Sequence, residues 1–377
     1  MRGIKCIKCG NRKFTYSSVA NGKVCSKCQH RVVFDPFSGI PLSDTKIAKA
    51  IEKISINHTL FFTEKQFCYY LTRSLARYEK QGKPSFLAVV SFILGILFML
   101  PGLLITFFVS TSGLLLVGVG LVFLLVTTLV NISEKYGPSP TVDELASLVR
   151  KWQEVNGEIH GLLPLRPKAL PTPDGEVMQY SFDRVVVTDK ASIAQFLIAN
   201  NFHFENNCAV LSLDGYPKEI FEPVMEMLHQ NPELKVFALH DCSVQGVLLS
   251  SQLRKDKKWF GEQQVPIYDL GLLPRQVMNQ KGFMSMKSAE IAKLAELLPQ
   301  EVRQSLLPEE IKWLEEGNYL ELESLAPVEL LKAVSSGIAR SRSEEALVPV
   351  QEDVYYIVPF VYSSPTITYD AYPDTFG

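Results

Sequence analysis

Residues 184–241 read RVVVTDKASIAQFLIANNFHFENNCAVLSLDGYPKEIFEPVMEMLHQNPELKVFALHD. Three short apolar runs, Arg184–Thr188, Cys208–Leu213 and Lys235–Leu239, alternate with two segments, 192–200 and 218–230, that carry apolar residues at helical spacing. Runs this short and this uniformly apolar are strands covered on both faces. Their alternation with helices predicts an α/β unit around a largely parallel sheet. On such a sheet, functional groups sit beyond the carboxyl ends of the strands. Those positions hold Asp189, the turn Gly215-Tyr216-Pro217 and Asp241. Carboxylates placed there either cap the helices that follow or hold a hard divalent cation through oxygen.

Upstream, the fifty residues Pro84–Ser133 carry no charge. The run divides at Ser110-Thr111-Ser112-Gly113 into Phe86–Val109 and Leu114–Ile132, of 24 and 19 residues. At about 1.5 Å per residue each is long enough for a hydrocarbon core of about 30 Å, which predicts two transmembrane helices within 86–132. Pro101-Gly102 is expected to kink the first. Arg73, Arg77, Lys80 and Lys83 precede the first span, and the turn between spans is uncharged. By the positive-inside rule, the N- and C-terminal regions are both expected on the cytoplasmic side of a membrane. A helical hairpin buried in protein is the alternative.

Near the start, Cys6-x2-Cys9 and Cys25-x2-Cys28 are separated by fifteen residues. This is four-thiolate zinc spacing, two knuckles that each offer two ligands to one tetrahedral ion. Since the chain supplies all four ligands, the zinc is expected to be structural, in a ribbon over 1–40. Cys68, Cys208 and Cys242 read as unpaired.

The 377 residues carry a net charge of −2, unevenly spread. Residues 1–85 hold 16 Lys/Arg against 5 Asp/Glu, and the remainder 22 against 35. The basic part suits anionic lipid headgroups or nucleic acid as well as it suits topology-setting charge. Arg73, Arg77, Lys80 and Lys83 are its candidate contacts. The acidic remainder repels phosphate and favours a protein partner. Segment 43–83 is expected to be helical, with Ile47, Ile51 and Ile54 on one face and a capping box at Thr63–Gln66. A helix and a proline-rich linker fill 134–179, the α/β domain 180–340, and a flexible tail 341–377.

The order Val185-Val-Val-Thr-Asp189-Lys190, Gly215-Tyr-Pro217, His240-Asp241-Cys-Ser-Val-Gln-Gly246 resembles a Toprim domain, and more narrowly that of the DNA-cleaving A subunit of topoisomerase VI. Pro266–Leu272 and Trp313–Leu325, with Glu321 and Glu323, look like later segments of that family, so the resemblance covers about residues 180–335. Ahead of it, Phe61–Tyr70 is similar to the winged-helix-like segment in which the second of two adjacent tyrosines is the nucleophile. The resemblance implies a homodimeric, magnesium-dependent DNA cleavage through Tyr70, with Asp189, Asp241 and Glu321 or Glu323 holding magnesium. Three positions depart from the pattern. Asp189 stands where the family has Glu, the Asp-x-Asp motif reads Asp241-Cys242-Ser243, and Gln66 stands where an arginine precedes the tyrosines. Losing one ligand and shortening another weakens a magnesium site. Three functions follow: a membrane-anchored, non-catalytic protein binding nucleic acid or a protein partner; a tyrosine-dependent nuclease; or a structural membrane interaction protein.

Overall fold

The structure, a computed structural model, describes residues 5–17, 22–34, 42–80, 86–108, 113–135, 140–167, 182–231, 234–261, 265–278, 283–341, 348–351 and 355–357. Lys83, residues 168–181 of the expected linker and 358–377 of the expected tail lie outside the described residues, as do the side chains of Arg77 and Lys80. The chain divides into two compact units. The first comprises Met1–Val33, Asp44–Tyr70 and Trp152–Gly377, and the second Phe34–Ser43 and Leu71–Lys151.

In the second unit, α3 (Phe86–Phe108) and α4 (Gly113–Lys135) form an antiparallel helical hairpin. A Cβ on Gly120 would lie 2.8 Å from the Gly95 carbonyl oxygen and 2.9 Å from Met99, so the helices touch backbone to backbone there. Phe98 stacks on Phe123 at 6.0 Å. The expectation that this hairpin crosses a membrane twice is overturned. Among the described residues, no helix is long and apolar enough to do so. The two-span localisation, with both flanking regions on the cytoplasmic face, falls with it.

The first unit begins with a hairpin of β1 (Phe14–Ser17) and β2 (Gly22–Cys25). Helix α1 (Asp44–Ile54) buries Ile47, Ala50, Ile51 and Ile54, one stripe at helical spacing. Helices α2 (Glu64–Lys80) and α5 (Val142–Asn156) carry the boundaries between the two units.

The sheet takes β3 (Arg184–Thr188), β4 (Cys208–Ser212), β5 (Lys235–Leu239) and β6 (Ile267–Asp269), all parallel, in the order β4-β3-β5-β6. Its faces alternate with the strand period. Val186, Val210, Phe237 and Leu239 pack with α6 (Ala191–Ala199) and α15 (Pro327–Arg340). Val185, Val187, Val236 and Ala238 pack on the other side with α8 (Lys218–Gln230) and α10 (Leu249–Lys255). The short α7 (Phe202–Glu205) leads into β4. A third apolar cluster joins α9 (Val244–Val247) to α12 (Ala289–Glu296), α13 (Gln300–Ser305) and α14 (Pro308–Glu315), with α11 (Pro274–Val277) beside α14. A small ladder pairs β7 (Met286–Lys287) with β8 (Asn318–Tyr319). Past α15, β9 (Val348–Gln351) and β10 (Tyr355–Ile357) join the sheet, β10 parallel to β6 and β9 antiparallel at the edge. The chain steps from β3 outward to β4, then returns across β3 to β5. The carboxyl ends of β3 and β5 therefore flank a topological switch point.

Candidate functional site

Asp189 and Asp241 lie at that switch point because β3 and β5 are neighbours, with Thr188 opposite Leu239. Continuing the register sets Lys190 opposite Asp241. The Asp241 backbone N–H donates to Asp189 Oδ2 at 3.1 Å. Two further carboxylates arrive from far along the chain. Cys242 and Leu320 exchange backbone hydrogen bonds of 2.9 and 2.8 Å, which lays Glu321 and Glu323 beside Asp241. The Leu322 N–H then donates to Asp241 Oδ1 at 2.7 Å.

The centre of this acidic group is a lysine. Lys190 Nζ lies 2.5 Å from Asp241 Oδ2, 2.8 Å from Glu321 Oε1 and 3.9 Å from Glu323 Oε2. Lys65 Nζ is 2.7 Å from the same Glu321 oxygen. Burial alone would lower the Lys190 pKa, but Asp241, Glu321 and Glu323 outweigh it and raise it well above the usual range. Burial works against ionisation of Glu321, yet Lys190 and Lys65 hold its carboxyl at about 2. Burial pushes Glu323 up. Burial, and then the Asp241 charge, push Asp189 up to about 7. Asp189 Oδ1 is sequestered and has no hydrogen-bond partner among the described residues, which agrees with a carboxyl that holds its proton readily. A cleft of about 540 Å³ opens here, lined by Lys65, Leu163, Asp189, Lys190, Gln195 and Glu323 among others.

Helix α2 reaches the site through local chemistry. Asn200, after α6, accepts from the Phe61 N–H at 2.9 Å and donates to the Phe61 carbonyl at 3.1 Å. The Phe62 N–H donates to the Gly161 carbonyl and the Leu163 N–H to the Phe62 carbonyl. Thr63 and Gln66 then form a reciprocal capping box, Gln66 N–H to Thr63 Oγ1 at 3.1 Å and Thr63 N–H to Gln66 Oε1 at 3.0 Å. Gln66, the departure from the arginine pattern, thus closes the first turn of α2. The Thr63 hydroxyl also donates to Glu323 Oε1 at 2.8 Å.

Of the expected tyrosine pair, the structure brings Tyr69 into the site. Its hydroxyl donates to Glu321 Oε2 at 2.8 Å. Burial, and then the Glu321 charge, push this phenol far above its usual range, so it acts as a donor. Tyr70 follows at about 100° around the helix, so its side chain leaves in another direction. Arg73 is half-buried, three residues further on. Ser243, which stands at the second position of the Asp-x-Asp pattern, accepts from the Gly246 N–H at 3.0 Å and caps α9. Asp189, Asp241, Glu321 and Glu323 are therefore one cluster. Its cations, Lys190 and Lys65, were not read from the sequence, although Lys190 adjoins Asp189.

A second charged pair lies beneath the first. His240 is fully buried, with Nε2 3.0 Å from Asp269 Oδ1 and Nδ1 2.8 Å from the Asp241 carbonyl. Burial disfavours the imidazolium, but Asp269 overrides it and brings the pKa to about 9. The ring fills a slot between two glycines. A Cβ on Gly271 would lie 2.3 Å from the ring, and one on Gly246 2.9 Å from its Nδ1.

In the ribbon, Cys6 Sγ lies 3.6 Å from Cys28 Sγ and Cys9 Sγ 3.5 Å from Cys25 Sγ. All four sulfurs fall within 4.8 Å of one another. A tetrahedral ion with about 2.3 Å bonds to sulfur needs edges of about 3.8 Å, so the quartet fits a metal ion. Gly10, after the first knuckle, turns at φ +70°. Among the described residues this is the one group of three or more His, Cys, Asp or Glu side chains close enough to share an ion. The four carboxylates at the switch point do not converge in that way. No family model matches the chain, and no curated protein matches it either.

Proposed function

We propose that the chain binds nucleic acid through a zinc-held ribbon, and that its α/β domain, which resembles Toprim, does not cleave it. The carrying observation is the charge of the ribbon. Residues 5–34 contain seven Lys/Arg and no Asp or Glu. Lys5, Lys8, Arg12, Lys13, Lys27 and Arg31 are exposed on it. Zinc is the ion that four cysteinates at this spacing select, and it would fold the knuckles and hold these cations in place. The acidic α/β domain offers phosphate little, which keeps the nucleic-acid footprint off that domain.

Cleavage is the weaker reading because Lys190 already neutralises Asp241 and Glu321 from 2.5 and 2.8 Å. A divalent cation binding those oxygens has to displace an ammonium tethered one residue from Asp189. Ser243 supplies no carboxylate, and Tyr69 is a hydrogen-bond donor to Glu321.

Filter binding of the full zinc-loaded chain to labelled oligonucleotides tests this. With four cations on phosphate, affinity for a single strand falls about 50-fold between about 50 and 200 mM salt. Chelating the zinc abolishes retention. Absence of retention at about 50 mM salt, or retention that survives chelation, refutes the binding reading. A covalent protein–DNA adduct formed with magnesium refutes the non-catalytic one.

A further inference from the structure

We infer that the ribbon takes single-stranded nucleic acid, with a base stacked on Tyr16 and its phosphates on the flanking cations. This deepens the proposed function and rests on it. Tyr16 is 72% exposed. Its hydroxyl makes no hydrogen bond among the described residues. A large aromatic ring left in water on a strand is unusual for a residue whose main contribution is buried area.

The register shows what surrounds it. Phe14 faces Cys25 and Tyr16 faces Lys23 across the hairpin. An isolated bridge joins Val24 to Arg31, and the Val32 N–H donates to the Lys23 carbonyl at 2.9 Å, so residues 30–32 run as a third edge beside β2. Strand alternation then puts Phe14, Tyr16, Lys23 and Val32 on one face. Tyr16, Lys23 and Val32 form a row across it. Phe14, half-buried, lies one step along, about 6.7 Å from Tyr16 at the strand rise. This face offers one open ring, a second partly open ring and a central ammonium. Exposed Lys13 directly precedes β1, and exposed Lys27 lies in the turn after β2.

A duplex hides its base faces inside the stack, so an exposed ring gains nothing from it beyond groove contacts. A single strand presents every base face. Stacking on an aromatic ring is worth enough that alanine substitution weakens binding about 5- to 150-fold per base. The four residues of β1 extend about 13 Å, room for two or three nucleotides.

The test compares the full zinc-loaded chain with Tyr16→Ala and Tyr16→Phe, on a single strand and on its duplex, at one low salt concentration. Tyr16→Ala is expected to lose at least fivefold on the single strand and little on the duplex, while Tyr16→Phe stays within about twofold of the parent. One zinc per chain in all three proteins shows that the ribbon remains folded. Equal binding of single strand by parent and Tyr16→Ala, or equal losses on strand and duplex, overturns the inference while leaving ribbon binding intact. A chain that retains neither form fails the proposed function itself.

Discussion

Replacing Lys190 by methionine keeps most of the side-chain volume and removes the ammonium from between Asp241 and Glu321. Removing one partner of a buried ion pair typically costs about 3–5 kcal/mol, because the remaining charge is left without compensation. Two features reduce that figure here. The Lys190 side chain is 32% exposed, so water screens part of its field. Lys65 still lies 2.7 Å from Glu321. Asp241, whose side chain is 3% exposed, keeps the Leu322 N–H at 2.7 Å and loses its cation. The expected destabilisation at neutral pH is therefore about 2–3 kcal/mol. The pH dependence carries a sign. Glu321 is held down at about 2 in the folded protein, against an ordinary carboxylate value of 4.5. A depressed carboxylate contributes stability that is present above the unfolded value and is lost as pH falls through the folded one. The variant lacks much of that contribution, so its deficit is largest above pH 4.5 and shrinks toward pH 2. Denaturant unfolding followed by emission from buried Trp259, at pH 7 and pH 3, measures both quantities. A variant as stable as the parent at pH 7, or a deficit unchanged at pH 3, refutes the view that Lys190 compensates this site.

Two other substitutions probe the same layer. Burial, and then the Asp241 charge, push Asp189 up to about 7 from an ordinary value of 3.8, so its ionisation subtracts stability as pH rises through that window. Asp189→Asn keeps an acceptor for the Asp241 N–H and cannot ionise; it is expected to melt higher than the parent at pH 8 and about equally at pH 4, and calorimetry showing the reverse order would count against the assignment. Gly271→Ala puts a methyl 2.3 Å from the His240 ring. Overpacking a rigid slot costs about 1–3 kcal/mol or more, and this variant should unfold at clearly lower denaturant, whereas a surface control, Gly157→Ala, meets no neighbour within 4 Å and registers only the strain of its φ of +85°.

Local pattern carried the sheet and the ribbon. Arg184–Thr188, Lys218–Gln230 and Lys235–Leu239 could be read because uniformly apolar short runs and a 3.6-residue stripe are properties of neighbouring residues. The cysteine quartet was legible for the same reason, since its spacing sets its geometry. Apolarity over 84–133 gave the helical hairpin but misled on its setting. The fifty uncharged residues count toward a span by composition, whereas among the described residues no helix is long and apolar enough to be one.

The chemistry of the acidic site was hidden from any local reading. Thr63 and Glu323 are 260 residues apart, and Tyr69 and Glu321 are 252 apart, so their hydrogen bonds are consequences of packing alone. The same packing chose Tyr69 over its neighbour Tyr70, a difference of one helical step. Charge type was visible in the order of residues, but charge compensation was not: an acidic motif reads identically whether its oxygens face open water or a lysine, and only the juxtaposition of β3, β5 and the loop after β8 places Lys190 among them. Spacing along a chain governs what a few consecutive residues can do, whereas the energy of a buried charge depends on everything within a few ångströms of it, whatever its distance in sequence.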